Sequence, residues 1–281
     1  MSMKAGMTGM GLHQALSFSS FMMRVPQSEA VFWPGCALMN LDGGILEKTL
    51  EILRRKEPDI QLCTCCCGQP TVYLFLEKTE QRREALTALL KKQGVKRIYT
   101  GCPNCTVQLR ELDGFEVYPL WPALAEKIQK ADIVPNERKY IWHDPCPTKR
   151  DIEQQNAVRA LLKQADCDYI EPLHSGCSTI CCGNFHMMHT LRPETSAQMK
   201  QRRLAEFPPE RIVVSSCDGC LSSFRSGGRE CLHLLELLFG KSKKRGWNNR
   251  FQTTFKQKEK KPPSNRRLFS IGYLCNGGQF R

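Results

Sequence analysis

The sequence predicts an α/β fold of two tandem, duplicated cysteine-rich domains built from parallel βαβ units. Three observations carry that expectation: a cysteine pattern that occurs twice, strands that alternate with helices, and enough apolar residues for a sizeable core. The first copy reads Phe32-Trp33-Pro34-Gly35-Cys36, then Cys66-Cys67-Gly68, then Gly101-Cys102-Pro103-Asn104-Cys105. The second reads Trp142-His143-Asp144-Pro145-Cys146, then Cys181-Cys182-Gly183, then Ser216-Cys217-Asp218-Gly219-Cys220. Both the Cys-Cys-Gly and the C-x2-C recur at an offset of 115 residues. Self-similarity at a fixed offset is the signature of a repeated structural unit.

In chain order, the β-branched and aromatic run Ala30 to Trp33 reads as a strand that delivers Cys36. Leu46, Leu50 and Leu53 recur at helical spacing, so a helix follows. Ile60 to Leu62 is a second short strand leading to Cys66, and a helix over about Glu80 to Gln93 precedes the strand Arg97 to Thr100 and Cys102. The second copy repeats the order with Lys139 to Trp142, helices near Ile152 to Gln164 and Ser196 to Glu206, and the strand Arg211 to Ser215 before Cys217. In open parallel sheets, ligands gather beyond the carboxyl ends of the strands. The three cysteine groups of each copy are therefore expected to converge.

With 281 residues, 41% hydrophobic and 25% charged, the chain has the composition of a globular protein, and no apolar run reaches the length of a membrane span. The net charge of +13 is unevenly placed: residues 241–267 hold eleven basic residues against the single acid Glu259. The rest of the chain carries only +3, so no nucleic-acid-binding face is expected on it. Four segments follow: a flexible extension over 1–28, cysteine-rich domains over 29–135 and 136–240, and a basic, disordered tail over 241–281. The extension is broken by Gly11, His13, Gln14, Ser17, Ser19 and Ser20, which excludes an apolar secretory core. A cytoplasmic location follows as the expectation, where clustered cysteines bind metals or do redox work more often than they form disulfides.

Each copy supplies five cysteines: Cys36, Cys66, Cys67, Cys102 and Cys105, then Cys146, Cys181, Cys182, Cys217 and Cys220. A structural zinc ion takes four ligands, and the two C-x2-C pairs alone would be ordinary half-sites, so zinc stays an alternative. Five thiolates with an adjacent pair suit a multinuclear iron–sulfur cluster better, the neighbours in extended backbone pointing apart to different irons. Gly68 and Gly183 let the chain bend beside such a group, and helix starts after Cys105 and Cys220 add partial positive charge. Histidines 143, 186 and 189 lie near these groups and Cys177 precedes Cys181; each reads first as a structural residue. Cys167, Cys231 and Cys275 have no counterpart in the repeat.

The double pattern resembles the twin cysteine-rich (CCG) domains of heterodisulfide reductase catalytic subunits. It is also similar to the iron–sulfur subunits of anaerobic glycerol-3-phosphate dehydrogenase, glycolate oxidase and lactate utilisation systems. The resemblance covers about residues 30 to 240. It implies that each five-cysteine set holds a [4Fe–4S] cluster, of noncubane type in the reductases, and that electrons pass through the two clusters, in those enzymes to a disulfide. The related systems imply instead a relay for a flavin-dependent hydroxy-acid dehydrogenase. In either case the partners are other redox subunits, a flavoprotein or a ferredoxin-like protein, because the C-x2-C-x2-C-x3-C-P run of a ferredoxin module is absent from the sequence. Cys36 to Cys66 spans 30 positions where Cys146 to Cys181 spans 35, and Cys63 and Cys65 stand beside the first pair, so the register there stays open.

Overall fold

The computed structural model describes residues 3–243 and 245–256. After α1 (Met3–Ser17), the first repeat runs β1 (Ala30–Trp33), α2 (Gly43–Leu53), β2 (Gln61–Leu62), α3 (Gln69–Leu74), α4 (Thr79–Lys92), β3 (Arg97–Thr100), α5 (Pro103–Arg110), β4 (Glu116–Pro119) and α6 (Leu120–Lys127). The second runs β5 (Lys139–His143), α7 (Ile152–Gln164), β6 (Asp168–Ile170), α8 (Met188–Leu191), α9 (Pro193–Leu204), β7 (Ile212–Ser215), α10 (Asp218–Arg225), β8 (Cys231–His233) and α11 (Leu234–Phe239). Helix α12 (Trp247–Lys256) follows. Every element of one repeat has its counterpart in the other, in the same order. The sheets run β2-β1-β3-β4 and β6-β5-β7-β8, and all pairings are parallel. The chain is thus an α/β protein of two duplicated βαβ domains.

Alternation along the central strands explains how the sheets are covered. Successive strand side chains point to opposite faces. Val31 and Trp33 enter a core with Leu86, Leu90 and Leu109 from α4 and α5. Ala30 and Phe32 point the other way, into a larger core that also takes Tyr140 and Trp142 from β5 and Ile212 and Val214 from β7. That core is shared: α2 and α6 of the first repeat meet α7 and α11 of the second, bringing Leu46, Leu53, Leu124, Leu161 and Leu237 together. Truncating such a leucine to alanine costs about 2–5 kcal/mol. Because both repeats use this core, they depend on each other for stability.

The two terminal segments depart from expectation. Residues 3–17 form a helix packed against α3 and α8, and Gln14, Ser17 and Met22 are buried. The segment was expected to be flexible because its residues are polar and small; its buried polar groups are instead held by hydrogen bonds, which hydropathy does not register. Residues 247–256, placed in the expected disordered tail, form α12 against α2 and the turn at Leu38–Asn40. Asn40 O accepts from Gly246 N and from Asn249 Nδ2, each at 3.0 Å, and Arg250 and Thr254 are buried. The expectation for residues 257–281 lies outside the described residues. No helix among the described residues is long and apolar enough to cross a membrane.

His233, at the end of β8, is fully buried; its Nδ1 accepts from Leu235 N at 3.2 Å, and burial pushes its pKa down from 6.5 to about 4. The folded state holds it neutral while the unfolded chain protonates it, so its contribution is present above pH 6.5 and is lost as pH falls towards 4. Denaturation measured across this window is expected to show stability falling with pH, with a slope shallower by about 1 kcal/mol per pH unit in His233→Gln.

Candidate metal centre

The cysteines lie where the parallel strands end. Cys36 follows β1, and Cys102 follows β3 and caps α5 with Pro103 in the first helical turn; Cys146 follows β5 and Cys217 follows β7, capping α10. Adjacent β1 and β3, and adjacent β5 and β7, thus deliver their cysteines side by side. The loop after β2 brings Cys66 and Cys67, and the loop after β6 brings Cys181 and Cys182.

In the first set the thiols neighbour one another in the order Cys36, Cys66, Cys67, Cys105, Cys102, each interacting with the next. The second set follows the same order: Cys146, Cys181, Cys182, Cys220, Cys217. The structure therefore brings all ten together in two groups of five. The shorter first interval does not displace Cys36, which occupies the place of Cys146. Cys63 and Cys65 are free thiols that neighbour each other, and Cys63 Sγ donates to Arg24 O at 3.5 Å, so Cys66 and Cys67 hold the paired positions. Adjacent cysteines do not point apart as an extended backbone would require. Gly68 N donates back to Cys66 Sγ at 3.5 Å and Gly183 N to Cys181 Sγ at 3.3 Å, so the chain turns and neighbouring thiols interact. Both glycines have positive φ, +82° and +87°.

The thiolate is favoured most at Cys66 in the first set and at Cys181 in the second. Hydrogen bonds from Cys36 and then Cys67 hold the Cys66 thiol far below its usual range, and those from Cys146 and Cys182 hold Cys181 at about 2. The same bonds, together with burial, push Cys36 and Cys146 upward. Thiols crowded in this way cannot all ionise without a cation between them. Backbone N–H groups of Asn104 and Cys105, at the start of α5, favour the thiolate of Cys102 after its bond with Cys105.

His143 is fully buried at the end of β5. Arg203 Nε donates to its Nδ1 at 3.1 Å, and burial, then the Arg203 charge, pushes its pKa down to about 3. The neutral ring carries its proton on Nε2, which has no hydrogen-bond partner among the described residues. A ring nitrogen of His143 and the sulfurs of Cys182 and Cys220 all lie within 4.8 Å of one another. Trp33, at the equivalent place in the first repeat, also has a buried, unpartnered N–H. Asp144 fixes the loop before Cys146: it accepts from Trp142 Nε1 at 2.8 Å, Gly176 N at 2.7 Å and Arg159 Nη2 at 2.9 Å.

The two sets meet through the C-x2-C loops. Asn104 Nδ2 of the first repeat approaches Cys217 Sγ of the second at 3.8 Å. Asn104 also joins Cys146, Cys182, Asn184, Phe185 and Cys217 in lining a narrow cleft beside the second set. Tyr73 stacks on His186 across the repeats at 4.5 Å, beside Met187, and both His186 and Met187 have positive φ.

The cysteine-rich (CCG) domain family matches the chain twice, over residues 30–110 and 140–225. The chain belongs to this family. Its crowded cysteines are the kind of donor set that binds a metal or a metal cluster. No curated protein matches the chain. Among solved structures, the Picrophilus torridus aspartate racemase is similar at 11% identity over 80% of this chain and 100% of that one, with a TM-score of 0.33. The glutamate racemase of Campylobacter jejuni is similar at 15% identity over 82% of this chain and 85% of that one, with a TM-score of 0.34.

Several residues of the CCG sites have no signal in the sequence. Gln14 Nε2 lies 3.9 Å from Cys66 Sγ, and Arg250 faces the first set from α12; both belong to segments that composition places outside the fold. Of the remaining candidates, His186 and His189 are exposed, Cys177 Sγ lies 3.9 Å from Gln155 Oε1, and burial raises Cys167 to about 11 and Cys231 to about 12. Cys275 lies outside the described residues.

A Cβ on Gly183 would stand 2.3 Å from Ser196 O, in a backbone region that side chains avoid. Gly183→Ala is expected to cost at least ~1–2 kcal/mol and to lower metal uptake by the second set while sparing the first. Metal content and denaturation midpoints check this.

Proposed function

We propose that the protein is an iron–sulfur oxidoreductase subunit whose two CCG domains each hold one multinuclear cluster. Cys36, Cys66, Cys67, Cys102 and Cys105 would hold one, and Cys146, Cys181, Cys182, Cys217 and Cys220 the other. The observation that carries the reading is the pair of five-sulfur chains joined in one order. A closed zinc site uses four ligands and leaves no role for a fifth. The orphaned N–H groups also support a group rich in acceptors: a buried unpaired donor costs ~1–3 kcal/mol, and inorganic sulfide would accept from His143 Nε2.

When bound, such clusters supply one-electron transfer. The chain's own residues do the rest. His143, kept neutral by burial and Arg203, offers a hydrogen bond without adding charge. Asp144 and Arg159 hold the Pro145-Cys146 loop in place. Gly68 and Gly183 turn the adjacent cysteines inward. Asn104 binds the two repeats together at the point where their cysteine sets approach, which supports passage of electrons between them. The cleft beside Cys146 and Phe185 is the side from which an acceptor would be reached, and a disulfide taking two electrons fits a pair of one-electron donors. A flavoprotein or a ferredoxin-like partner would deliver the electrons.

Anaerobic reconstitution with iron and sulfide is expected to load both sets, with Cys67→Ser and Cys182→Ser each losing about half the iron. Binding of zinc alone by the wild type would contradict the reading. With a strong reductant, the loaded protein is expected to reduce a low-molecular-weight disulfide, and loss of either cluster to abolish it. A wild type that accepts electrons from a hydroxy-acid dehydrogenase but reduces no disulfide would make it a relay.

A further inference from the structure

The two sets share their sulfur order but not the charges around them. Helices α1 and α12 have no counterparts in the repeat, and both reach the first set. Gln14, on α1, places Nε2 3.9 Å from Cys66 Sγ, while its Oε1 accepts from Thr71 Oγ1 at 2.6 Å and Arg82 Nη1 at 3.1 Å. The Arg82 guanidinium also lies 4.4 Å from the centre of the Phe18 ring. Arg250, on α12, is 1% exposed; its Nη2 donates to Ser17 Oγ at 3.1 Å, its Nη1 meets His13 Nε2 at 3.4 Å, and it covers Trp247 at 4.7 Å. Its Nε has no partner among the described residues.

None of these contacts is a carboxylate. Neither Arg82 nor Arg250 forms an ion pair among the described residues. Burial lowers the pKa of Arg82 and the Cys66 thiolate opposes that, while the Arg250 charge favours the thiolate of Cys36 against the larger effects of its contact with Cys66 and of burial. A buried guanidinium is tolerated only when something compensates its charge. Around the second set the cations are already paired. Arg203, fully buried, bonds Glu206 at 2.7 Å, and Arg159 bonds Asp144 at 2.9 Å and Glu171 at 2.6 Å.

We propose that Arg82 and Arg250 are the counter-charges of the anionic group held by the first cysteine set, so that the first cluster has the higher reduction potential and takes up an electron before the second. The inference rests on the iron–sulfur reading above. One electron from the partner redox subunit adds one negative charge to the cluster, and an uncompensated cation nearby stabilises that state more than an ion-paired one does. Gln14 positions this arrangement by joining Arg82 and Thr71 to Cys66. The chain is thereby directional: the first repeat is the electron reservoir, and the second, with its cleft, is the donor to whatever accepts the electrons.

Redox titration of the reconstituted full chain, followed by electron paramagnetic resonance, is expected to show two midpoint potentials. Titrating Cys182→Ser, which keeps only the first set intact, assigns the higher one. Arg250→Gln is expected to lower that potential and leave the other unmoved, and Arg250→Lys to restore most of it. Loss of iron from the first set in Arg250→Gln, restored in Arg250→Lys, supports the same assignment. Unmoved potentials in Arg250→Gln with both clusters present would overturn the inference alone. Equal loss of iron in both variants would do the same, reducing Arg250 to an anchor for α12. A wild type that takes up no iron would overturn the cluster reading and this inference together.

Discussion

Five thiols in a row at the end of each parallel sheet, each interacting with the next, are the constraint on which the rest of the structure depends. Crowded thiols resist ionisation because each new charge faces its neighbours, and the thiolate is favoured most at Cys66 in the first set and at Cys181 in the second. A bound metal cluster would relieve that repulsion and let all five act as thiolates. Everything close by serves to hold the sulfurs together without it: the strand pairs β1·β3 and β5·β7 set the spacing, Gly68 and Gly183 turn the paired cysteines back, and the shared core of α2, α6, α7 and α11 keeps the two sheets from moving apart.

Much of this was legible in the residues. The 115-residue offset fixed the duplication, and the strands Ala30 to Trp33 and Arg97 to Thr100 and the helix Ile152 to Gln164 stand where their patterns place them. Strands β4, β6 and β8 were not legible: Glu116–Pro119 opens on a charged residue and ends on a proline, which reads against a strand, and Asp168–Ile170 and Cys231–His233 have three residues each. The terminal helices were missed for a different reason. Gln14, Ser17, Arg250 and Thr254 are polar residues that are buried by hydrogen bonding, and a hydropathy pattern counts each of them as solvent-facing. The ten cysteines were legible because spacing alone reveals them. The cations that surround the first set come from segments far apart in the chain, and only the folded structure brings them together.

Duplication followed by divergence at the edges explains why two sites with one sulfur order can differ in role. The repeats conserve between themselves the strand ends, the turning glycines and an orphaned N–H, from Trp33 in one and His143 in the other. They differ in the cover. The first set lies beneath α1 and α12, whereas the second is bordered by the Phe185–Met187 turn, whose His186 and Met187 adopt positive φ. Strain of that kind is sustained only where surrounding contacts over-determine it, and here the stack of Tyr73 on His186 supplies one such contact.

The account stands on the claim that each five-sulfur set holds a cluster rather than a single ion. Mössbauer spectroscopy of the anaerobically reconstituted wild type tests it most directly, since irons in a sulfide-bridged cluster differ from a mononuclear iron–thiolate site. The account predicts two sulfur-coordinated cluster signals of equal area with unequal parameters. A spectrum of mononuclear iron alone, or a protein that excludes iron and retains zinc, would contradict it.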